Sequence, residues 1–249
     1  MPALSFAPYP SDKIREEVRM KFHYYGHSAI GCSHEATTIV FDPFFKGNPS
    51  AGDIPADLAP HTILLTHGHE DHVGDTEEIA KRAGSKVVAV HELANRLGEL
   101  GLDTIGCGLG GRVKHPWGWS KMVAAFHSSS YQGKYMGMPA GIVVDFAGVR
   151  IYNTGDTCVF GDMKLIAELY HPEVLILPVG GHYTMDPYEA KKAIELVGPK
   201  SVIPVHYNTW PPLEIDVQAF KREVESVQPS VTVHALKPGE VLEMSPGRV

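Results

Sequence analysis

A short polar segment, residues 66–72, contains four side chains of the kinds that bind metal ions. It follows the apolar run Ile63-Leu64-Leu65, which is typical of a short buried strand, and Gly68 then breaks the strand into a loop. Residues 76–81 have helical composition. The segment therefore lies between the carboxyl end of a strand and the start of a helix, where α/β proteins place ligands. The four side chains are those of His67, His69, Asp71 and His72.

So many ligand-type residues close together are difficult to explain structurally, because unpaired imidazoles and a carboxylate lose hydration near a strand end. Neutral imidazole and carboxylate suit zinc, manganese or iron. Two ions held about 3.5–4 Å apart need more ligands than one loop supplies. Strand ends along one edge of a sheet converge in space, and three other apolar runs lead to candidate ligands. These are His127, Asp156 and His206.

The rest of the sequence predicts two sheets with helices outside them. The first half is richer in strands and hairpins, such as the hairpin turn at Ala147-Gly148, and the second half alternates strands with helices. Asp186-Pro187 supplies the capping residue and the proline that open a helix. The last helix is predicted to span residues 214–227, and a strand at 231–233 is predicted to end the fold.

Composition limits the classes of protein that fit. A chain of 249 residues that is 43% apolar suits a single globular domain, residues 20–249, preceded by a proline-rich amino-terminal arm, residues 1–19. The net charge of −7, with both signs interspersed, argues against nucleic acid as a partner. No apolar run approaches the roughly 20 residues that span a bilayer. Three scattered cysteines and no export signal predict a cytoplasmic protein, with Cys158 facing the core.

The segment Thr-His-Gly-His-Glu-Asp-His at 66–72 resembles the His-x-His-x-Asp-His motif of the metallo-β-lactamase superfamily. Three other motifs agree in order and spacing, namely Phe126-His127-Ser128, Thr154-Gly155-Asp156-Thr157 and Val205-His206-Tyr207-Asn208-Thr209. Shorter motifs are similar to those of bacterial and archaeal metal-dependent hydrolases related to the L-ascorbate-6-phosphate lactonases. They lie at 26–28, 42–44, 138–141 and 206–211. The resemblance runs from Met20 to about Glu243 and implies the α/β four-layer αββα sandwich of that superfamily.

The resemblance also implies a dinuclear site with two divalent metal ions. The residues that would hold the first ion are His67, His69 and His127. Those that would hold the second are Asp71, His72 and His206, and the bridge between the ions would be Asp156. Since no cysteine is among these ligands, Zn²⁺ is the expected metal, and Mn²⁺ or Fe²⁺ are the alternatives.

A site of this kind predicts a hydrolase in which metal-bound hydroxide attacks an ester, a lactone or a phosphodiester of a small molecule. Two divalent ions, two aspartates and one hydroxide carry a net charge of about +1, which suits an anionic substrate or a developing oxyanion. Asp71 is expected to orient the hydroxide and to move its proton. Carboxylic-ester or lactone hydrolysis competes closely with phosphodiester hydrolysis. A β-lactamase role is disfavoured, since the resemblance runs to another branch.

Other classes of function fit less well. A non-catalytic metal-binding or regulatory protein of the same fold would be indicated by a missing ligand, and the full set is present. A di-iron redox enzyme would usually require a flavin partner, and no flavin-type domain fits in the remaining chain. A Ser-His-Asp triad is disfavoured, because no serine lies in the glycine pattern of a nucleophile elbow. The sequence leaves a homo-oligomer open.

Residues outside the ligand set are also expected near the site. Asp42 follows a strand and either orients a metal ligand or caps the turn before Pro43. His27 is expected to line the pocket or to support it. The segment 180–185 lacks the aspartate that the related proteins have in Gly-Asp-Asn-Phe-Thr-Met, and His182 within it is interpreted either as a substrate-facing catalytic acid or as a loop residue. Tyr131 offers a hydroxyl group to an oxyanion.

Overall fold

Two seven-stranded sheets pack face to face in the computed structural model, which describes residues 19–245. In each sheet one half is antiparallel and the other half is parallel. The strands of the first sheet, in spatial order, are β16 (Val241–Met244), β1 (Met20–Gly26), β2 (Ala29–His34), β3 (Thr37–Phe41), β4 (Thr62–Leu64), β5 (Lys86–Val90) and β6 (Thr104–Cys107).

The second sheet comes from the second half of the chain, apart from the two strands at its antiparallel end. Its strands, in spatial order, are β15 (Thr232–Val233), β14 (Ser201–Val205), β13 (Val174–Pro178), β12 (Val149–Asn153), β11 (Ala140–Phe146), β8 (Gly118–Ala124) and β7 (Arg112–His115). Ala147-Gly148 forms the predicted hairpin turn between β11 and β12. A separate short hairpin pairs β9 (Ser130–Tyr131) with β10 (Lys134–Tyr135).

Helices cover the outer face of each sheet. They are α1 (Glu70–Val73), α2 (Thr76–Ala83), α3 (His91–Gly98), α4 (Met163–Tyr170), α5 (Pro187–Val197) and α6 (Val217–Val227). Along β13, Ile176 packs between the sheets, whereas Leu175 and Leu177 pack with the apolar residues of α4, α5 and α6. The residues of α2 and α3 join the core of the first sheet. The predicted four-layer αββα sandwich is therefore confirmed. Within residues 19–245, none of these helices has the length and apolar character to cross a membrane.

One helix start was predicted correctly and another was not. The Asp186 carboxylate accepts hydrogen bonds from the N–H groups of Tyr188 and Glu189, at 2.8 and 2.9 Å, and so caps α5. The prediction that the last helix begins at residue 214 is wrong. α6 begins at Val217, because Asp216 is its cap and accepts a hydrogen bond from the N–H group of Ala219.

Two strands of the first sheet are absent from the sequence prediction. β2 contains Gly31 and short polar residues, so its apolar pattern is weak. β16 has only four residues and alternates between exposed and half-buried positions, and its pairing of Met244 with Met20 spans almost the whole chain. The prediction that a strand at 231–233 ends the fold is therefore wrong.

The predicted arm, residues 1–19, lies outside the described residues except for Arg19. The carbonyl oxygen of Arg19 is 3.0 Å from Nδ1 of His34 in an exposed contact, which contributes little to stability. We expect a chain that begins at Met20 to keep its melting temperature and its metal affinity. Thermal unfolding and metal titration of both chains check this. Insoluble or destabilised truncated protein would show that the arm belongs to the folded domain.

Candidate metal centre

The candidate metal ligands all lie beyond the carboxyl ends of strands, either in the loop that follows a strand or, for Asp71 and His72, in the short helix α1 after β4. In the second sheet, β8 and β12 are both antiparallel to β11, and β12, β13 and β14 are parallel. The carboxyl ends of β8, β12 and β14 therefore meet along one edge of that sheet. His127 follows β8, Asp156 follows β12, and His206 follows β14 directly. His67 follows β4 of the other sheet, and the edges of the two sheets adjoin at the site.

Three imidazoles form what we call the first donor group, His67, His69 and His127. Their ligand atoms lie within 4.8 Å of one another. Nε2 of His67 is 3.0 Å from Nδ1 of His69. The ring of His127 stands nearly perpendicular to both, with centroid distances of 5.2 and 5.0 Å. This geometry suits three nitrogen ligands of one transition-metal ion.

Asp71, His72 and His206 form the second donor group, with His27 beside them. One ligand atom from each of the four lies within 4.8 Å of the others. Oδ2 of Asp71 is 3.8 Å from Nε2 of His72 and of His206. The side chain of Asp71 is 26% exposed, whereas those of the two histidines are at most 2% exposed. Asp71 is therefore the member of this group that solvent reaches.

Asp156 lies between the two donor groups. Its Oδ2 is 3.1 Å from Nε2 of His206 and 3.4 Å from Nε2 of His72 in the second group. The same oxygen is 3.6 Å from Nε2 of His127 in the first group. The side chain is only 4% exposed. A carboxylate placed in this way can touch cations held by either group.

A bound cation would satisfy an unpaired buried atom at this place. Nε2 of His72 is buried and has no hydrogen-bond partner among the described residues, which is costly in a protein interior. Burial disfavours the charged form of His72, but the carboxylates of Asp156, Asp42 and Asp71 outweigh it and raise the His72 pKa well above its ordinary value. The three carboxylates thus attract positive charge, and the donor atoms present fit a metal ion.

Asp42 and Thr66 hold two of these imidazoles in place. Oδ2 of Asp42 accepts a hydrogen bond from the Thr66 hydroxyl at 2.8 Å and lies 2.9 Å from Nδ1 of His72. The Thr66 hydroxyl is also 3.0 Å from Nδ1 of His67. Since Nδ1 of each ring is engaged, Nε2 is left for the donor groups. The Asp42 carboxylate therefore contacts a candidate ligand, instead of capping the turn before Pro43.

The three imidazoles of the first donor group, unlike that of His72, are uncharged at neutral pH. Burial is the largest cause that lowers the pKa of His67, His69 and His127 below the ordinary histidine value. A neutral imidazole keeps a nitrogen lone pair, whereas a protonated one has none to offer. The first group is therefore in the form that binds a metal without first losing protons.

The loop that carries His206 depends on a close backbone approach. A Cβ atom at Gly180 would lie 2.2 Å from the carbonyl oxygen of His206, so only glycine fits there. The N–H group of His206 donates to the carbonyl oxygen of His27 at 2.8 Å. Both histidines have positive φ, 55° for His206 and 53° for His27, which is uncommon for residues with a side chain. Such conformations concentrate at functional sites.

Several hydroxyl residues of the site were not singled out as supports of the ligands. Thr66 contacts Asp42 and His67 as described, and Oγ of Ser128 is 3.2 Å from Nε2 of His69. The Ser129 hydroxyl accepts a hydrogen bond from the N–H group of Gly68 at 3.0 Å. Their position in the sequence could have indicated this role, because Thr66 directly precedes the first predicted ligand and the two serines directly follow His127.

The structure does not bring Tyr131 or His182 into either donor group. Tyr131 is partly buried against the core, and burial is the main cause that raises the pKa of its hydroxyl. His182 is exposed, and its ring stacks edge-on with Tyr183 at 4.4 Å. Its loop borders the site, since the N–H group of Met185 donates to the carbonyl oxygen of Thr157 at 3.2 Å. His182 stays a predicted catalytic residue.

The prediction that Cys158 faces the core is wrong, since its side chain is exposed. β12 ends at Asn153, so Cys158 lies in the following loop, where strand alternation no longer decides which residues are buried. In this loop Thr154, Asp156 and Thr157 are buried instead.

Fold and site together define the class, a metal-binding αββα sandwich with its donor atoms at the strand ends. Residues 21–206 match the family model described as the Beta-lactamase superfamily domain. A UPF0173 metal-dependent hydrolase from Thermus thermophilus is 45% identical over 230 residues, which cover 90% of this chain and 99% of that protein. The chain belongs to the metallo-β-lactamase superfamily, among its metal-dependent hydrolases.

Solved structures agree with this family. Igni18, a metallo hydrolase from the archaeon Ignicoccus hospitalis, is 37% identical, with a TM-score of 0.83 over 91% of this chain and 98% of that chain. CmlA, a diiron beta-hydroxylase from Streptomyces venezuelae, is 14% identical, with a TM-score of 0.68 over 92% of this chain and 54% of that one. The likeness to CmlA concerns the fold alone.

Proposed function

We propose that this chain hydrolyses an ester, lactone or phosphodiester bond of a small molecule at a dinuclear metal centre. The observation that supports this most strongly is the pair of donor groups with one buried carboxylate, Asp156, between them. The first donor group would hold one ion and the second donor group the other. Zn²⁺ is the metal we propose, since imidazole and carboxylate suit it, and Mn²⁺ or Fe²⁺ are alternatives.

Divalent ions bound at this place supply Lewis-acid polarisation of the scissile group and a water molecule whose pKa lies near neutrality. Two divalent ions and two aspartate ligands carry a net charge of about +2. That charge favours an anionic substrate, or one that develops an oxyanion in the transition state.

Within this proposal, Asp71 orients the attacking water. One of its oxygens, Oδ2, is 2.9 Å from Nε2 of His27. We expect the other oxygen to accept a hydrogen bond from water, since the side chain of Asp71 is 26% exposed and that of Asp156 only 4%. Burial alone would raise the pKa of Asp71, but the His72 charge and the His27 hydrogen bond lower it overall. The carboxylate therefore stays ionised and acts as an acceptor.

Hydrolysis is tested with protein purified without added metal and then reconstituted with Zn²⁺, Mn²⁺ or Fe²⁺. A panel of chromogenic carboxylic esters, lactones and phosphodiesters separates the two bond classes, and chelator-treated protein is the matched control. We expect turnover of at least one class that chelation abolishes and metal restores. Stoichiometric metal binding without turnover of any panel member would favour the non-catalytic, regulatory alternative.

The proposed centre also fixes a stoichiometry. We expect two transition-metal ions per chain after reconstitution, because five imidazoles and two carboxylates form two groups of ligands. Elemental analysis of protein dialysed to equilibrium measures the ratio. A ratio that stays at or below one under saturating metal would contradict a dinuclear centre, while leaving metal-dependent hydrolysis possible at the first donor group.

The reducing cytoplasm is the compartment we propose for this activity. Cys32, Cys107 and Cys158 are all free thiols in the structure, and free thiols persist where disulfides are kept reduced. Cell fractionation with an antibody against the chain would test the location.

A further inference from the structure

His27 is a fully buried imidazole that the proposed chemistry does not use directly. It follows β1, and its side chain is 0% exposed. Nε2 lies 2.9 Å from Oδ2 of Asp71, and Nδ1 lies 2.8 Å from Oγ1 of Thr209. The ring thus stands between a candidate metal ligand and the loop that follows β14, and both of its nitrogens are engaged.

The surroundings of His27 keep it away from substrate. Its ring centroid is 4.1 Å from that of His206, 4.9 Å from that of Trp210 and 5.9 Å from that of Phe44. Its carbonyl oxygen accepts the hydrogen bond from the N–H group of His206. The segments that follow β3 and β14, one from each sheet, therefore both pack against this one residue.

The partners of His27 decide which nitrogen carries the proton. Asp71 is a carboxylate and can only accept, so the proton lies on Nε2 and points to Asp71. The Thr209 hydroxyl is 2.8 Å from Nδ1 and 3.4 Å from the carbonyl oxygen of Tyr207, so its proton goes to the nearer acceptor, Nδ1. In this tautomer Nε2 has no lone pair left for a metal ion.

We propose that Thr209 and His27 form a positioning chain that fixes the Asp71 carboxylate for the second donor group, with His27 touching neither metal nor substrate. The inference rests on the proposed metal centre. Partners that orient a metal ligand typically contribute about 10- to 100-fold in metal affinity or activity. We expect loss of this chain to lower the affinity for the ion at the second donor group by that amount.

Two amide substitutions separate this role from a merely structural one. In His27→Gln the amide nitrogen takes the place of Nε2 and can still donate to Asp71. In His27→Asn the amide takes the place of Nδ1 and reaches Thr209 but not Asp71. The backbone φ of 53° at this position suits asparagine better than glutamine. If His27 has only a structural role, His27→Asn should retain more stability and more Zn²⁺ affinity than His27→Gln. If His27 positions Asp71, His27→Gln should retain more Zn²⁺ affinity.

Zn²⁺ affinity is measured by competition with a fluorescent chelator, and melting temperature is measured on the metal-free proteins. Without metal, we expect the melting temperature of His27→Asn to be equal to or higher than that of His27→Gln. We expect the order of Zn²⁺ affinity to be reversed, with His27→Gln close to wild type and His27→Asn weaker by about 10- to 100-fold. The same order in both measurements would overturn the proposal. Loss of one whole zinc equivalent in both variants would also overturn it, because His27 would then be a ligand.

Substitutions of Thr209 provide an independent test. Thr209→Val keeps the shape of the side chain but removes the hydroxyl that Nδ1 of His27 accepts from, whereas Thr209→Ser keeps the hydroxyl. We expect weaker Zn²⁺ binding in Thr209→Val and recovery in Thr209→Ser, and equal affinities in the two would contradict the chain. Since affinity is measured without substrate, a wild-type protein that binds two zinc ions but hydrolyses nothing would disprove the proposed function and leave this inference standing.

Discussion

Replacing Asp156 with alanine is expected to remove both metal ions and to abolish hydrolysis. Its Oδ2 lies between 3.1 and 3.6 Å from imidazole nitrogens of both donor groups, so this one carboxylate faces both. Without it, two cations would face each other with one carboxylate fewer between them, and their repulsion would be less compensated. The loss should exceed the about 10- to 100-fold that removal of an orienting neighbour costs.

Metal content and turnover are measured together on Asp156→Ala and on a matched variant, His182→Ala. His182 lies in the loop beside Thr157 but is exposed and outside both donor groups. We expect His182→Ala to keep two ions per chain, and to lose turnover only if the predicted role of His182 as a substrate-facing acid is correct. Comparable metal loss in the two variants would contradict the assignment of Asp156 as the bridge.

The parts of this molecule that sequence predicts best are those in which a local pattern carries a physical requirement. Each predicted ligand follows an apolar run, and parallel strand ends converge at one edge whatever their separation in sequence. The cap at Asp186 could be predicted because the carboxylate and the N–H groups it satisfies lie within three residues. The αββα layers follow from the order of strands and helices, and the family resemblance led to the same fold.

Contacts between distant segments could not be predicted in this way. His27 and Thr209 are separated by 182 positions, and nothing in either local sequence indicates that a neutral imidazole would join them. The pairing of β16 with β1 has the same difficulty, since a four-residue edge strand with half its residues exposed has little pattern of its own. The fold determines these pairings through the packing of both sheets.

Loop residues show a second limit. Cys158, His182 and Tyr131 were assigned from their nearness in sequence to a ligand or motif, but position in a loop depends on which backbone groups are satisfied there. Thr157 is buried because its hydroxyl accepts from the N–H group of Phe126 at 3.0 Å, and Cys158 is then turned to solvent. Nearness in sequence predicted that these residues lie close to the site. It did not predict whether their side chains face the site, the core or solvent.

Replacing Asp71 with asparagine is expected to lower kcat by about 100-fold or more, about 2.7 kcal/mol of transition-state stabilisation, while KM changes much less. Asparagine keeps an oxygen that can contact the second ion and fills the same space, but its amide is a poor acceptor for the proton of the attacking water. Under saturating metal, a loss confined to kcat indicates that orientation and proton transfer are affected. A variant that loses only metal would instead show that Asp71 is a ligand without a further role.

Exposed serines near the site provide the comparison for Asp71. Ser128 has its hydroxyl 3.2 Å from Nε2 of His69, and Ser130 lies exposed at the start of β9. If either were a nucleophile, its alanine variant would lose turnover completely. We expect Ser128→Ala and Ser130→Ala each to cost far less than Asp71→Asn, because water is the nucleophile in the proposed reaction. Intact mass of protein quenched during turnover should show no acylated or phosphorylated serine.

Single turnover in ¹⁸O-labelled water then separates water from Asp71 as the attacking group. When water attacks, its oxygen forms the new bond to carbon or phosphorus, the bond to the leaving oxygen breaks, and the leaving group takes up a proton. The first product molecule therefore contains one labelled oxygen. If the Asp71 carboxylate attacked instead and water then opened the resulting anhydride at the protein carbon, the first product would carry an unlabelled protein oxygen. We expect full labelling on the first turnover, and an unlabelled first product would show that the water mechanism is wrong.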